Sequence, residues 1–398
     1  MSAAGVLVLL VALLHQADSV ASPLKRLIEK GRHPAIRWGR FVDVQADARR
    51  LYELSDWKPL WLTEGGALPN REARALLDAL ATAGDRGLDP QDYDAAQLTA
   101  LAANLSRGGA DREQAIRFDA ALTIGALRFV RALARGRVGT LAAGSVPSHP
   151  EFDPTSVVDA LRRTERVEPI LTALEPAWPA YAELKRALVR YRQLMKDSVG
   201  GRAMYAARIR QIELALERWR WIPRGFRDSA LLVTAPAFRL HIPVGTTPPM
   251  TIRMGVRIEH PRCRAISVFA HELRMIVFQP AGRAAAVGFP LAGGVDLTGG
   301  LPGELSRPGE ASCVRVADGE LLAELLLRGR PDWTRERIRA AMSGDRQVFV
   351  RLPRSVPVFF VYATAVADES GRVSFFPDAL GHDAMLDRLL RLGYPFPR

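Results

Sequence analysis

The chain has 398 residues but only two cysteines, Cys263 and Cys313. Two thiols form at most one disulfide, so the fold does not depend on a framework of several bridges. Like charges never run in a block of five or six although the net charge is +12, and aromatic residues make up only 7% of the chain. The basic excess therefore indicates a solvated surface suited to a polyanionic neighbourhood, rather than a nucleic-acid partner.

A hydrophobic run long enough to cross a bilayer as a free-standing helix is also missing from the N-terminus. The apolar run there extends only from Ala3 to Leu14, and the small-residue pattern Ser19-Val20-Ala21 follows it. This order is typical of a signal peptide, so we predict that residues 1–21 direct export and are cleaved after Ala21. Because no Lys or Arg precedes the apolar run, an uncleaved anchor or a different start site remains an alternative.

Residues 22–200 have the hydrophobic spacing of helices, and we predict that they form one helical domain. The stretch NREARALLDALATAG has apolar residues at helical spacing, and in the following DRGLDPQDY we expect Gly87 and Pro90 to end one helix and Asp89 to cap the next. The longer AIRFDAALTIGALRFVRALARGRV is too apolar for a surface helix, so it is expected to form the spine of a helical layer.

The pattern changes after the glycine pair Gly200-Gly201. One more helix, YAARIRQIELALERWRWIP, is followed by predicted strands rich in β-branched and aromatic residues and bounded by Pro and Gly, among them MTIRMGVRIEH, HELRMIVFQP, RQVFVRLP and VPVFFVYATAVAD. Two short helices, DGELLAELLLRG and TRERIRAAMSG, are expected beyond Cys313. We therefore predict an α+β protein in which residues 201–398 form a second, strand-rich domain.

Several segments of the chain resemble, in order, the large periplasmic L,D-transpeptidases of Gram-negative bacteria. Those of the helical half are LYELSDWKPLWL, GLDPQDY, ALRFVRALARGRV, ALEPAWPAYAELKRAL and IELALERWRWIP, and those of the second half include SCVRVADGELLAELLL and VPVFFVYATAVADESGRVSF. The resemblance implies a helical scaffold domain, a strand-rich catalytic domain and a periplasmic location. It also implies a small peptidoglycan-binding insert near Gly200 and a substrate-capping segment after VFQP, and neither is found in the sequence.

The resemblance places the catalytic nucleophile at Cys313. The family signature Ser-His-Gly-Cys-Ile/Val-Arg survives here only in Cys313, Val314 and Arg315, because Ala311 and Ser312 stand where the family has histidine and glycine. The catalytic histidine expected further upstream is matched by Thr298. Without an imidazole the thiol is only a few per cent ionised at neutral pH, so acylation is expected to be slow.

Other roles remain open for these site residues. Cys313 is read as a nucleophile, as a buried free thiol, or as half of a bridge to Cys263. Ser312 preserves a backbone oxyanion hole only if its φ is negative. Arg315 either binds a substrate carboxylate or hydrogen-bonds loop carbonyls.

Two functions are compatible with this reading of the sequence. The first is a peptidoglycan L,D-transpeptidase that transfers acyl groups of diaminopimelate-containing stem peptides, with catalysis impaired or lost because its histidine is missing. The second is a non-catalytic envelope scaffold that binds peptidoglycan or partner proteins. In either case we expect no cofactor, no metal and no nucleic acid, and membrane contact only through the N-terminal segment if it stays uncleaved.

Overall fold

A computed structural model of the chain describes residues 23–64, 68–108, 111–139, 152–224, 230–235, 237, 239–244, 250–258, 268–279, 294–298, 303–306, 314–316, 318–368 and 370–397. The predicted signal peptide and both cysteines lie outside this part of the chain. The described residues form an N-terminal helical region followed by a strand-rich region with further helices, which confirms the predicted α+β class. Among the described helices, none has the length and apolarity needed to cross a membrane.

Nine α-helices and two short 3₁₀ helices, Ala83–Arg86 and Pro90–Tyr93, precede the first strand in the described residues. The α-helices are α1 (Pro23–Lys30), α2 (Gln45–Leu54), α3 (Arg71–Ala81), α4 (Ala95–Ser106), α5 (Arg112–Arg135), α6 (Pro154–Leu161), α7 (Val167–Leu174), α8 (Pro179–Asp197) and α9 (Arg202–Trp219). The turn after α3 follows the sequence prediction. Gly87 has a left-handed φ of 72°, and the Asp89 carboxylate accepts a hydrogen bond from the Gln91 amide at 3.0 Å, capping a short 3₁₀ helix.

Helix α5 is the spine of the helical region, as its sequence predicts. The Asp111 side chain caps its start, and Gly136, with a φ of 71°, ends it. Helices α1, α2, α3, α4, α6 and α7 all contact it. Phe118, Leu122 and Phe129 on this helix are fully buried, because the surrounding helices cover every side of it from residue 118 to residue 130.

The remaining elements form the strand-rich part. They are β1 (Leu231–Ala235), β2 (Arg239–Val244), β3 (Met250–Ile258), β4 (Val268–Gln279), β5 (Gly294–Thr298), β6 (Gly303–Ser306), β7 (Val314–Val316), α10 (Gly319–Leu326), α11 (Arg335–Ser343), β8 (Val348–Tyr362), β9 (Ala365–Ala367), β10 (Val373–Phe375) and α12 (His382–Arg391). Strands β1 to β8 close into a barrel with the order β1-β2-β3-β7-β6-β5-β4-β8, and β9 pairs with β10.

Strand β8 differs from the sequence prediction, which placed two separate strands at RQVFVRLP and VPVFFVYATAVAD. The structure joins them into one strand of 15 residues. The pairing with β4 shifts between Leu273, opposite Val356, and Met275, opposite Arg351. This irregularity leaves the region of Pro353 outside the regular pairing, which suits a residue that lacks an amide hydrogen.

The two faces of the sheet pack against different helices. On β1, Leu231 and Val233 belong to an apolar cluster with α10 and α11, whereas Leu232 belongs to a cluster with α8 and α9. On β8, Val358 packs on the first side and Phe359 on the second. The alternation follows from the period of two in a strand, and it shows that both faces are covered here.

The C-terminal segment ties the second half of the chain back to the helical region. Helix α12, which the sequence analysis did not predict, packs on α9. Beyond it, Phe396 enters the core of the helical region, with the guanidinium carbons of Arg128 and Arg137 each 4.7 Å from its ring centre. Arg137 also donates a hydrogen bond to the carbonyl of Tyr394 at 3.0 Å. The C-terminus is therefore a structural part of the helical half.

Candidate functional site

The segment that follows the candidate nucleophile enters the sheet as strand β7. Cys313 and Ser312 themselves lie outside the described residues. Arg315 is the middle residue of β7, opposite Arg257 of β3 and Glu304 of β6. The backbone therefore places Arg315 between two neighbouring strands, directly after the position of the thiol.

Thr298, which the resemblance aligns with an upstream histidine, does not lie level with the start of β7. Val295 of β5 is opposite Leu305 of β6, and Leu305 is opposite Val314 of β7. Thr298 lies three residues further along β5, which is about 10 Å at the rise of a strand. Two strand spacings add about 10 Å sideways. Strand β7 runs in the same direction as β5, from Val314 towards the level of Thr298. The chain therefore enters β7 at the end that is farther from Thr298.

None of His260, His271 and His382 is shown beside the start of β7, where a replacement base for the thiol would have to lie. His271 lies on β4 opposite Val358 of β8, and His260 lies outside the described residues. His382 begins α12 and is buried, with its ring centre 4.6 Å from that of Tyr362. Within the described part of the chain, no group of histidine, cysteine, aspartate and glutamate is arranged to hold a metal ion.

A cleft of about 460 Å³ opens between the end of α10 and the start of α11. Trp333 in its wall stacks on Phe278 of β4, with ring centres 5.2 Å apart and ring planes at 12°. Arg337 covers Trp333, with its guanidinium carbon 4.6 Å from the ring centre. The tryptophan is thus held in one orientation, and a cleft of this size is large enough for a small ligand or a short peptide segment.

The charges around this cleft are mostly paired. Arg330 donates two hydrogen bonds of 2.9 Å to Asp332, and this pairing lowers the pKa of the Asp332 carboxyl. Hydrogen bonds from Arg339 and Arg335 lower the pKa of Glu320. Both carboxyls therefore stay ionised well into the acid range. Each of these pairs is exposed, so each adds little to stability.

Arg328 is the exception in the cleft wall, since among the described residues it has no ion-pair partner and its side chain is exposed. Its guanidinium is thus available to bind a carboxylate or phosphate in two-point fashion. The sequence analysis missed this cleft. The arginine-dense stretch RGRPDWTRERIR around a Pro-Asp-Trp turn was the signal that could have revealed it.

The helical half contains a buried polar cluster built on the stretch LYELSDWKPLWL. The carboxylate of Asp119 on α5 accepts hydrogen bonds from the Tyr52 hydroxyl at 2.8 Å and the Trp61 amide at 2.7 Å. The indole of Trp61 donates to the Thr123 hydroxyl at 2.9 Å. Burial raises the pKa of Asp119 to about 7, although these hydrogen bonds oppose the rise.

A second buried polar cluster holds α12 on α9. The guanidinium of Arg218, fully buried on α9, donates to the Asp383 carboxylate at 2.5 Å. The Thr364 hydroxyl donates to the other oxygen of Asp383. This cluster positions the segment that follows β8 against the helical half, and it lies between the two parts of the chain.

Comparison with known proteins supports the helical half of the prediction. Residues 46–188 match a family model described as a Scaffold domain. The match begins in α2 and ends in α8, so it covers the helical layer around α5 and does not reach the strands. No curated protein matches the chain. Residues 46–188 of the helical region are therefore similar to a Scaffold domain.

Proposed function

We propose that the chain is a peptidoglycan L,D-transpeptidase-like protein of the cell envelope in which acyl transfer by Cys313 is impaired or lost. The observation that carries this proposal is the Scaffold-domain match at residues 46–188. It lies where the resemblance to the large L,D-transpeptidases requires a helical scaffold, ahead of a strand-rich half that contains the remaining SCVR motif. The exported location and the peptidoglycan partner are parts of the same proposal.

The ancestral chemistry would proceed through a thioester. The Cys313 sulfur attacks the carbonyl carbon of a diaminopimelate residue in a stem peptide, and the bond to the terminal D-Ala breaks. The leaving amine takes up a proton, and an acceptor amine or water then releases the acyl group from sulfur. Each step needs a base that moves the proton, a contribution of about a hundred- to ten-thousand-fold in rate.

The register of the sheet supports the loss of that base. Thr298 is not level with the start of β7, and Ala311 supplies no imidazole beside Cys313. An arginine such as Arg315 stays protonated at neutral pH and does not accept the proton of a thiol. Cys313 is therefore expected to behave as an ordinary thiol.

The decisive experiment is intact-mass measurement after incubation with a carbapenem, a β-lactam that acylates the family's cysteine. We expect little adduct on the wild-type protein under conditions that label an active L,D-transpeptidase fully. The matched variants are Cys313→Ala and Cys263→Ala, which separate the two thiols. A complete adduct that Cys313→Ala abolishes and Cys263→Ala leaves intact would show an active nucleophile and contradict the proposed loss of catalysis.

A rebuilt motif tests the explanation itself. The double variant Ala311→His with Ser312→Gly restores the family residues next to the thiol, whereas Thr298→His places a histidine at the remote level. We expect the first variant to increase the alkylation rate of Cys313 at neutral pH and the second to leave it unchanged. An increase from Thr298→His alone would contradict the register argument.

The alternative is a non-catalytic envelope scaffold that binds peptidoglycan or partner proteins. Thr298 and Ala311, where the family has histidines, favour it, because binding, unlike acyl transfer, needs no base. Sedimentation with isolated peptidoglycan tests this role. Binding that Cys313→Ala leaves unchanged supports the scaffold, and no binding argues against it.

A further inference from the structure

Helices α8 and α9 form a hairpin whose distal part stands away from the rest of the protein. Leu188 is the last buried residue of α8, and Ile209 is the first buried residue of α9. No side chain in residues 189–208 is buried. We call this segment the hairpin arm. The remaining turns of α8 extend about 13 Å beyond Leu188 at the rise of a helix, so the tip is open to large partners.

The hairpin arm is strongly basic. It contains five basic residues and a single acidic residue, Asp197. Near its base, Arg190 donates a hydrogen bond to the Gly371 carbonyl, and Arg192 pairs with Glu213. The other basic residues are Lys196, Arg202 and Arg208. The basic side chains at the base of the arm therefore have partners within the protein, whereas those towards the tip have no ion pair among the described residues.

The two basic residues nearest the tip have no ion pair within the part of the chain that the structure describes. Lys196 lies in the last turn of α8, and Arg202 is the first residue of α9. Both side chains are exposed. Asp197 directly follows Lys196, and only the four residues 198–201 lie between Asp197 and Arg202. Two unpaired cations thus flank the same turn.

Apolar side chains share this tip with the charges. Val199 in the turn is fully exposed at 104%, and Met204 and Leu194 are 52% and 40% exposed. Tyr191 and Tyr205 cross the hairpin edge to face, with ring centres 6.2 Å apart, and stiffen it. Exposed apolar side chains at a tip flanked by unpaired cations are unfavourable in water. The cations suit the charged outer layer of a surface, and the apolar side chains suit an apolar layer beneath it.

We propose that the hairpin arm docks on an anionic lipid surface. Lys196 and Arg202 contact the headgroups, and Val199 enters the boundary between headgroups and acyl chains with Leu194 and Met204 beside it. Charge complementarity favours an anionic surface, and the exposed apolar turn favours a bilayer over a purely polar polymer. This contact is separate from the N-terminal segment and does not depend on the chemistry of Cys313.

The test is sedimentation of the full chain with vesicles of phosphatidylcholine alone or with a third of phosphatidylglycerol. We expect partitioning into the anionic vesicles to exceed that into neutral vesicles, and the excess to shrink as salt rises. Lys196→Glu with Arg202→Glu should reduce binding to anionic vesicles about 25-fold or more, at about five-fold for each of the two positive charges lost. Equal partitioning into both vesicle types would overturn the proposal.

A matched control exists at another helix junction. Arg107 follows α4 and Arg112 begins α5, so Arg107→Glu with Arg112→Glu makes the same charge change at equivalent helix ends. We expect this control to lose far less vesicle binding than the arm variant. Equal losses in the two variants would show that net charge alone acts, and would overturn the assignment to the arm.

The apolar part of the proposal has its own readout. Val199→Ser should weaken vesicle binding several-fold while leaving the salt dependence unchanged, because it removes apolar contact and no charge. Isolated anionic cell-wall polymer serves as the competing partner. If the arm variant loses polymer binding but wild-type protein shows no preference for anionic vesicles, the occupant is the polymer and the lipid proposal is wrong.

Discussion

Asp119 should make the stability of the helical half depend on pH in the opposite sense to an ordinary surface carboxylate. Its pKa is raised by burial from 3.8 to about 7. A raised pKa means that the folded state binds the proton more tightly than the unfolded state does. The stabilisation is therefore fully present below pH 3.8 and is lost as the pH rises towards 7.

The magnitude follows from the two pKa values. Each pH unit between them is worth about 1.4 kcal/mol, so the contribution of Asp119 to the free energy of unfolding falls by up to about 4 kcal/mol between pH 4 and pH 7. This is an upper value, because the hydrogen bonds from Tyr52 and the Trp61 amide support the ionised form. Above pH 7 we expect no further loss from this group.

Asp119→Asn is the matched perturbation, because it keeps the shape and removes the proton equilibrium. The amide oxygen can accept from the Trp61 amide, and its NH₂ group can donate to the Tyr52 hydroxyl, which then donates to Thr123. Denaturant unfolding of both proteins, followed by tryptophan fluorescence at several pH values from 4 to 8, gives their difference in stability. Other titrating groups cancel in that difference.

We expect the wild-type protein to lose stability relative to Asp119→Asn as the pH rises from 4 to 7. A difference that stays flat across this range would mean that Asp119 does not change its protonation there. A difference that changes in the opposite direction would mean that its hydrogen bonds outweigh burial and hold the pKa below 3.8. Either result refutes the reasoning.

Two further predictions concern the contacts that join the halves of the chain. Phe396→Ala should reduce the free energy of unfolding by about 3 kcal/mol, because it empties a core position beside Arg128 and Arg137. The control Phe349→Ala, at a site that is 62% exposed, should change it by less than about 0.5 kcal/mol. Asp383→Ala should reduce the free energy of unfolding by about 3–5 kcal/mol, because Arg218 is left buried without its carboxylate partner. An equal loss on removing a partly exposed carboxylate elsewhere on α12 would contradict this reason. Denaturant unfolding measures both.

Much of the helical half could be predicted from local sequence. The spacing of apolar residues located α3 and α5, and Gly87 and Asp89 marked a turn and a cap that act over only a few residues. Helix α12 was missed although Leu386, Leu389 and Leu390 have helical spacing. Pro353, which divides the two predicted strands, instead lies within β8 at an irregular pairing, and that irregularity depends on β4.

The site could be predicted only in part. The SCVR stretch made Cys313 and Arg315 candidates through the resemblance, and the structure adds that Arg315 lies in β7. The distance between Thr298 and the start of β7 could not be read from the sequence, because it depends on how β5, β6 and β7 are aligned. The cleft beside Trp333 likewise required the packing of α10 and α11 against β4.

The sequence by itself determined the succession of a helical and a strand-rich part and the helical spine, because hydrophobic period and helix caps are local properties. Only the tertiary structure decided the ionisation of Asp119, the insertion of Phe396 between two arginines, and the exposure of the hairpin arm. Each of these depends on what lies around a side chain, and those neighbours come from distant parts of the chain. Burial and strand register exist only once these parts are assembled, and they set the pKa, the core and the free surface of this protein.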